Sequence, residues 1–199
     1  MLKSKKVATI LCTILLLTTP IASAASLKLT DVPPMHWAYD AVAQLYIDGY
    51  IMPSSDNTFR GEGKATRYDV SYMVGTYLKN KGATPTSKTF PDVPTGHPAK
   101  EAIAYSADVM SGYTDGTFRG DEEISRFQLA MVLSQLVGNA SANKDSFRDV
   151  PSDHWAYSAV NTVVSNKIML GYGDNTFRGN NGITRYELAR IFAKFVYTR

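Results

Sequence analysis

Thr184-Arg185-Tyr186-Glu187 is one of three copies of a four-residue box; the others are Thr66-Arg67-Tyr68-Asp69 and Ser125-Arg126-Phe127-Gln128. The three arginines are 59 residues apart in both intervals. Thr or Ser with Asp, Gln or Glu three residues on is a capping box: the hydroxyl accepts from the backbone N–H three residues ahead, and the acidic or amide side chain returns the bond. A helix therefore starts at each copy. Counting from each arginine, positions 3, 6, 7, 10 and 11 are Val70, Met73, Val74, Tyr77 and Leu78, then Leu129, Val132, Leu133, Leu136 and Val137, then Leu188, Ile191, Phe192, Phe195 and Val196. That spacing predicts one apolar stripe per helix, about four turns long at ~3.6 residues per turn.

Eight residues before each arginine stands a phenylalanine, inside Asp56-Asn57-Thr58-Phe59-Arg60-Gly61, Asp115-Gly116-Thr117-Phe118-Arg119-Gly120 and Asp174-Asn175-Thr176-Phe177-Arg178-Gly179. Asp followed by Asn or Gly predicts a turn whose second residue is left-handed, because Gly meets no steric penalty there and Asn tolerates it best among the rest. The phenylalanine reads as a buried plug. Gly112-Tyr113 and Gly171-Tyr172 precede the second and third turns, where the first unit has Pro53-Ser54.

Further upstream, Asp31-Val32-Pro33, Asp92-Val93-Pro94 and Asp149-Val150-Pro151 are each followed by a histidine (His36, His97, His154), then Trp37, Pro98 or Trp155, then alanine. The prolines and the recurrence of Trp155, Ala159, Val160, Val163 and Val164 predict a leading helix. Asn80 to Thr89 and Gly138 to Ser146, rich in small and polar residues, read as linkers. Each unit is then helix, turn-bearing loop and capped helix. Two such helices cannot close a core alone, so the three units are expected to pack together.

The 199-residue chain is 44% hydrophobic and 20% charged, an ordinary globular balance. Lys3, Lys5 and Lys6 precede an apolar run from Val7 to Leu17, and Ala22-Ser23-Ala24 offers the small residues of a cleavage site, so residues 1–24 read as a secretory signal. Those lysines account for the whole formal excess of +3, leaving 18 basic against 18 acidic residues and no bulk attraction to nucleic acid. Cys12, the only cysteine, lies in that run; the mature chain has no thiol chemistry, disulfide or cysteine metal cluster.

Together the F-x-D-V openings (Phe90-Pro91-Asp92-Val93, Phe147-Arg148-Asp149-Val150), the His-Trp-Ala, the Gly-Tyr before the turn and the box resemble three consecutive S-layer homology (SLH) domains. The resemblance covers the mature chain, divided as repeats 25–84, 85–143 and 144–199. It implies a mainly α fold: three helix-loop-helix repeats packed as a pseudo-threefold assembly, with a central three-helix bundle and three prongs, monomeric. It also implies a non-enzymatic, exported protein of the cell wall or S-layer, free of the membrane after signal cleavage. Such triplets bind a secondary wall polysaccharide whose terminal N-acetylmannosamine carries a pyruvate ketal, in grooves between repeats. The alternatives are a structural interaction protein of the wall, or the anchor remnant of a larger wall enzyme. Departures are Tyr or Phe for the usual alanine of the box, Asp69 and Gln128 for glutamate, Pro98 for tryptophan, and Pro53-Ser54 for Gly-Tyr; they put in doubt a groove that uses the first repeat's loop or Pro98.

On this reading Arg67, Arg126 and Arg185 engage the ketal carboxylate, because a guanidinium matches a planar carboxylate with two parallel hydrogen bonds. A cation in the first helical turn gains nothing from the helix dipole, which argues for another duty. Its bland alternative is a stem covering apolar surface. Trp37 and Trp155 suit either a sugar face or a core. Gly112, Asp115, Gly116, Gly171 and Asp174 belong to loops that would offer backbone N–H groups, or serve the turns alone. The histidines read as loop or cap hydrogen bonds. No metal ligand set or cofactor motif is present, and Asp121-Glu122-Glu123 lacks the spacing of a calcium loop shared by the other repeats. No elbow, phosphate loop or paired-carboxylate pattern supports catalysis. Arg185 is expected to be separable from the cap, so that removing it weakens binding and leaves melting nearly unchanged.

Overall fold

In the computed structural model residues 29–52, 54–138 and 147–198 are described. The proposed signal segment and Cys12 lie outside them, as does most of the second linker. Among the described residues there are six helices and no strand longer than an isolated bridge: α1 (Tyr39–Ile47), α2 (Arg67–Asn80), α3 (Lys100–Ser106), α4 (Arg126–Val137), α5 (Tyr157–Ser165) and α6 (Arg185–Tyr197). None is long and apolar enough to cross a membrane.

All three capping boxes form. Thr66, Ser125 and Thr184 accept from the N–H of Asp69, Gln128 and Glu187, whose side chains return the bond to the cap backbone at 2.8–2.9 Å. The predicted stripes face inward: Val70, Val74, Leu129, Leu133, Leu188, Phe192 and Phe195 are buried. So are the plugs Phe59, Phe118 and Phe177. Asn57, Gly116 and Asn175 have φ of 55°, 83° and 61°, the left-handed geometry read from the turns.

A capping box satisfies only part of a helix start, since the first four N–H groups lack intrahelical partners. Here the remainder goes to the next repeat. Arg67 and Tyr68 donate their backbone N–H groups to Glu122 and Gly120 at 2.9 and 2.8 Å; Arg126 and Phe127 donate to Asn181 and Gly179 at 3.0 and 2.8 Å; Arg185 and Tyr186 donate to Gly63 and Gly61, both at 2.9 Å. Just before each box the three chains meet one another. Ala65 N–H donates to Ile183 at 2.9 Å, Ile183 N–H to Ile124 at 3.4 Å, and Ile124 N–H to Ala65 at 3.0 Å, a closed cycle of three fully buried residues.

Helix pairing follows the same order: α2 packs on α3, α4 on α5, and α6 returns to α1. Each capped helix thus lies mainly against the leading helix of the following repeat rather than that of its own. The closest approach is at Gly75 in α2, where a Cβ would stand 1.9 Å from the carbonyl oxygen of Ala102 in α3. Gly75→Ala must therefore part the two backbones. It is expected to destabilise by about 1–3 kcal/mol despite the better helix propensity of alanine. Thermal melts by circular dichroism check this, with Gly96→Ala, which meets nothing within 4 Å, as the neutral control.

Candidate functional site

The box aromatics are the wedges between repeats. Tyr68 stacks on His97 with ring centroids 3.8 Å apart and packs on Phe118 at 5.9 Å; Phe127 meets His154 at 4.7 Å and Phe177 at 5.8 Å; Tyr186 meets His36 at 4.1 Å and Phe59 at 5.5 Å. Each ring lies over the glycine that ends the partner's turn, at a distance of 2.1–2.2 Å from where a Cβ would be on Gly120, Gly179 or Gly61. The Thr-Phe-Arg-Gly glycine is thus explained by a ring arriving from another repeat, a pairing invisible along the chain. Histidine Nδ1 accepts from the N–H of Ala38, Ala99 and Ala156 at 3.2–3.3 Å, the loop hydrogen bond expected of it.

The aspartates of Asp-Val-Pro, which sequence reasoning left without a role, are latches. Asp31 accepts from the N–H of Phe59 and Arg60, Asp92 from Phe118 and Arg119, and Asp149 from Phe177 and Arg178, all at 2.7–2.8 Å. Each holds an arginine at φ of 53–55°, a conformation costly for a side chain with a Cβ. Their recurrence in all three repeats, 28, 26 and 28 residues before the plug, was the available signal.

The box arginines reach across the same seams. Nε of Arg67, Arg126 and Arg185 donates to the carbonyl of Phe118, Phe177 and Phe59 at 2.9, 2.9 and 2.7 Å. Nη2 of Arg67 and Arg126 donates to Ser111 and Leu170 at 3.1 and 2.8 Å. Burial pushes the pKa of Arg67 and Arg126 down from the usual guanidinium value, which leaves both charged. Arg185 instead ion-pairs with Asp69, the capping carboxylate of α2. It clasps two repeats, so its removal is expected to cost stability as well as any binding.

Behind the arginines stand the tyrosines of Gly-Tyr. Arg67 and Arg119 lie over Tyr113 at 5.0 and 4.1 Å, and Arg126 and Arg178 over Tyr172 at 5.1 and 4.1 Å. Gly112 and Gly171 leave room for Phe90 and Phe147, which a Cβ would meet at 2.3 and 2.0 Å. Gly116 N–H closes the turn on Tyr113 at 3.0 Å. Asp115 and Asp174 bind Thr117 and Thr176 at 2.6 Å and pair with Arg119 and Arg178 at 2.8 and 3.0 Å.

The tryptophans, which suited either a core or a surface, are exposed, Trp37 by 52% and Trp155 by 63%. Trp37 stands edge-on to Tyr186 at 5.9 Å and Trp155 edge-on to Phe127 at 5.3 Å. Trp37 forms a wall of a cavity of about 360 Å³ together with Arg126, Leu170-Gly171-Tyr172 and the α6 residues Glu187, Arg190 and Lys194, so that all three repeats contribute. A second cavity, of about 320 Å³, contains Arg185, Ser54, Phe59, Asp69 and His97. Arg190 and Lys194 escaped the sequence reading because they lie off the apolar stripe.

The geometry defines a repeat protein with exposed aromatic plates and clasped arginines at its inter-repeat seams. The S-layer homology domain family matches the chain in three stretches, residues 28–70, 89–130 and 146–189, and the chain belongs to that family. It is 35% identical over 95 residues to a cellulosome-anchoring protein of Acetivibrio thermocellus, covering 45% of this chain and 21% of the relative. It is 33% identical over 95 residues to a surface-layer 125 kDa protein of Lysinibacillus sphaericus (47% and 8%) and 50% identical over 48 residues to the outer membrane protein SlpA of Deinococcus radiodurans (24% and 4%). The chain thus spans about a fifth or less of the length of these relatives. Family membership makes it an exported, surface-associated protein.

The turn carboxylates predict an acid transition. Hydrogen bonds from Thr176, then Arg178, hold Asp174 down from 3.8 to about 2, and the matching Thr and Arg lower Asp56 and Asp115 further. A depressed folded pKa contributes stability that is complete above the unfolded value and is lost as pH falls through the folded one. Melting temperature is expected to drop between pH 4 and 2. The slope should flatten when Asp56, Asp115 and Asp174 are all changed to Asn, and salt should weaken it because the groups are exposed.

Proposed function

We propose that this chain is a non-enzymatic wall anchor that binds an acidic secondary wall polysaccharide, through its pyruvate ketal, in grooves between repeats. The observation that carries this reading is the cavity where Trp37, Arg126 and Gly171-Tyr172 converge from three repeats. An exposed indole is an apolar plate for a sugar face, and Nη1 of Arg126 has no protein partner among the described residues, leaving a donor for a carboxylate. The names of the relatives, a cellulosome-anchoring protein among them, support anchoring.

The closed hydrogen-bond cycle supports a pseudo-threefold arrangement of repeats 25–84, 85–143 and 144–199 around a central bundle with three prongs; the chain is read as a monomer, and Lys3, Lys5, Lys6 and the apolar run after them support a signal cut after residue 24. In that order Arg67 and Trp155 belong to a second groove. The third groove, around Arg185, collects the departures: Ser54 in place of the tyrosine, His97 followed in sequence by Pro98 in place of tryptophan, and an arginine paired with Asp69. It is the groove expected not to bind.

The test is a pull-down with purified cell walls, untreated, stripped of polysaccharide, or freed of the pyruvate ketal. Binding should vanish in both treated samples, and retention unaffected by either treatment would refute the glycan reading. Arg126→Lys should weaken binding about tenfold or more, because an ammonium keeps the charge but loses the planar fork. Arg185→Lys should lower the melting temperature with little change in affinity.

A further inference from the structure

The cavity at Trp37 holds more positive charge than a single ketal carboxylate requires. Arg126, Arg190 and Lys194 line it against one acid, Glu187, whose carboxylate already accepts the Thr184 N–H at 2.8 Å. Arg190 and Lys194 are four residues apart, hence neighbours on one face of α6, separated by roughly one helical turn of ~5.4 Å. Neither is ion-paired among the described residues; Arg190 only lies over the Trp37 ring, at 5.5 Å. The same helical positions are Met131 and Gln135 in α4, and Tyr72 and Thr76 in α2. Among the three capped helices the cation pair belongs to α6 alone, so it serves no structural purpose that the repeats share. Cations gathered in a cleft with apolar walls focus a field that favours an anion there.

Resting on the glycan reading above, we propose that this groove takes a glycan with two acidic groups: the ketal carboxylate at Arg126, and a second anion on the adjoining sugar held by Arg190 and Lys194. The groove would then read two consecutive sugars, whereas the Arg67 groove, with Met131 and Gln135 in those places, reads only the ketal sugar. Trp37 joins the two subsites, since it faces the cavity and carries Arg190 on its ring.

The probes are synthetic: the methyl glycoside of 4,6-pyruvylated N-acetylmannosamine, and disaccharides in which that sugar is joined to glucose, to glucuronic acid or to glucose 6-phosphate. Calorimetric titration of the intact chain should give about tenfold tighter binding for an acidic neighbour than for glucose, the scale of one hydrogen bond to a charged group. The acidic disaccharides should also show the steeper salt dependence. The glucuronate and phosphate arms tell which anion is preferred. In the double variant Arg190→Gln, Lys194→Gln, with its melting temperature checked, the ratio between acidic and neutral neighbours should collapse toward one. Equal binding of all three disaccharides by the unaltered chain, or a ratio that survives the double variant, overturns the second subsite and leaves the ketal reading standing. Failure of every probe to bind the unaltered chain overturns both.

Discussion

The first N–H groups of the three capped helices are the constraint on which the structure depends. A capping box answers two of them locally, and the next two need carbonyls from elsewhere. Those carbonyls come from the loop of the following repeat, at residues such as Gly120 and Glu122, so a helix start and a repeat interface are the same set of bonds. The third repeat must find its partners in the first, at Gly61 and Gly63, which closes the order. A donor buried at a seam without an acceptor would cost about 1–3 kcal/mol, and each seam covers two such donors, so the repeats must meet in a register that supplies both carbonyls.

The grooves follow from that arrangement. Once the helix start of one repeat is pinned to the loop of the next, its box arginine is carried to the carbonyl of the plug phenylalanine, and its aromatic ring is carried to the turn glycine. The guanidinium is then held by one or two backbone carbonyls and an aromatic face before any ligand arrives. Preorganisation of this kind lowers the ordering cost of binding, since the long side chain has already lost its freedom in folding. On the proposed reading, assembly and recognition would draw on the same side chain, its two duties separated by chemistry, fork against point charge, rather than by position.

The three seams share a backbone and differ in side chains. Gln128, the fourth residue of the α4 box, cannot form the ion pair that Asp69 forms with Arg185, so the capping residue of one repeat sets the charge beside an arginine of another. Ser54, Asp69 and His97 come from two repeats along the chain, yet they line one cavity with Arg185.

Short-range chemistry was readable from the residues: the capping boxes, the left-handed Asn57, Gly116 and Asn175, the buried phenylalanine plugs and the apolar stripes all depend on neighbours within about one or two turns of chain. The bond from Arg185 to Phe59 spans 126 residues, and no local rule states which repeat a helix start will choose. For the same reason the tryptophans' exposure, the ring resting on each turn glycine and the latching aspartates emerged only in three dimensions. The residues decided where each helix begins and what each turn looks like; the assembled fold decided which repeat answers each unpaired group, because that choice depends on the simultaneous burial of all three units.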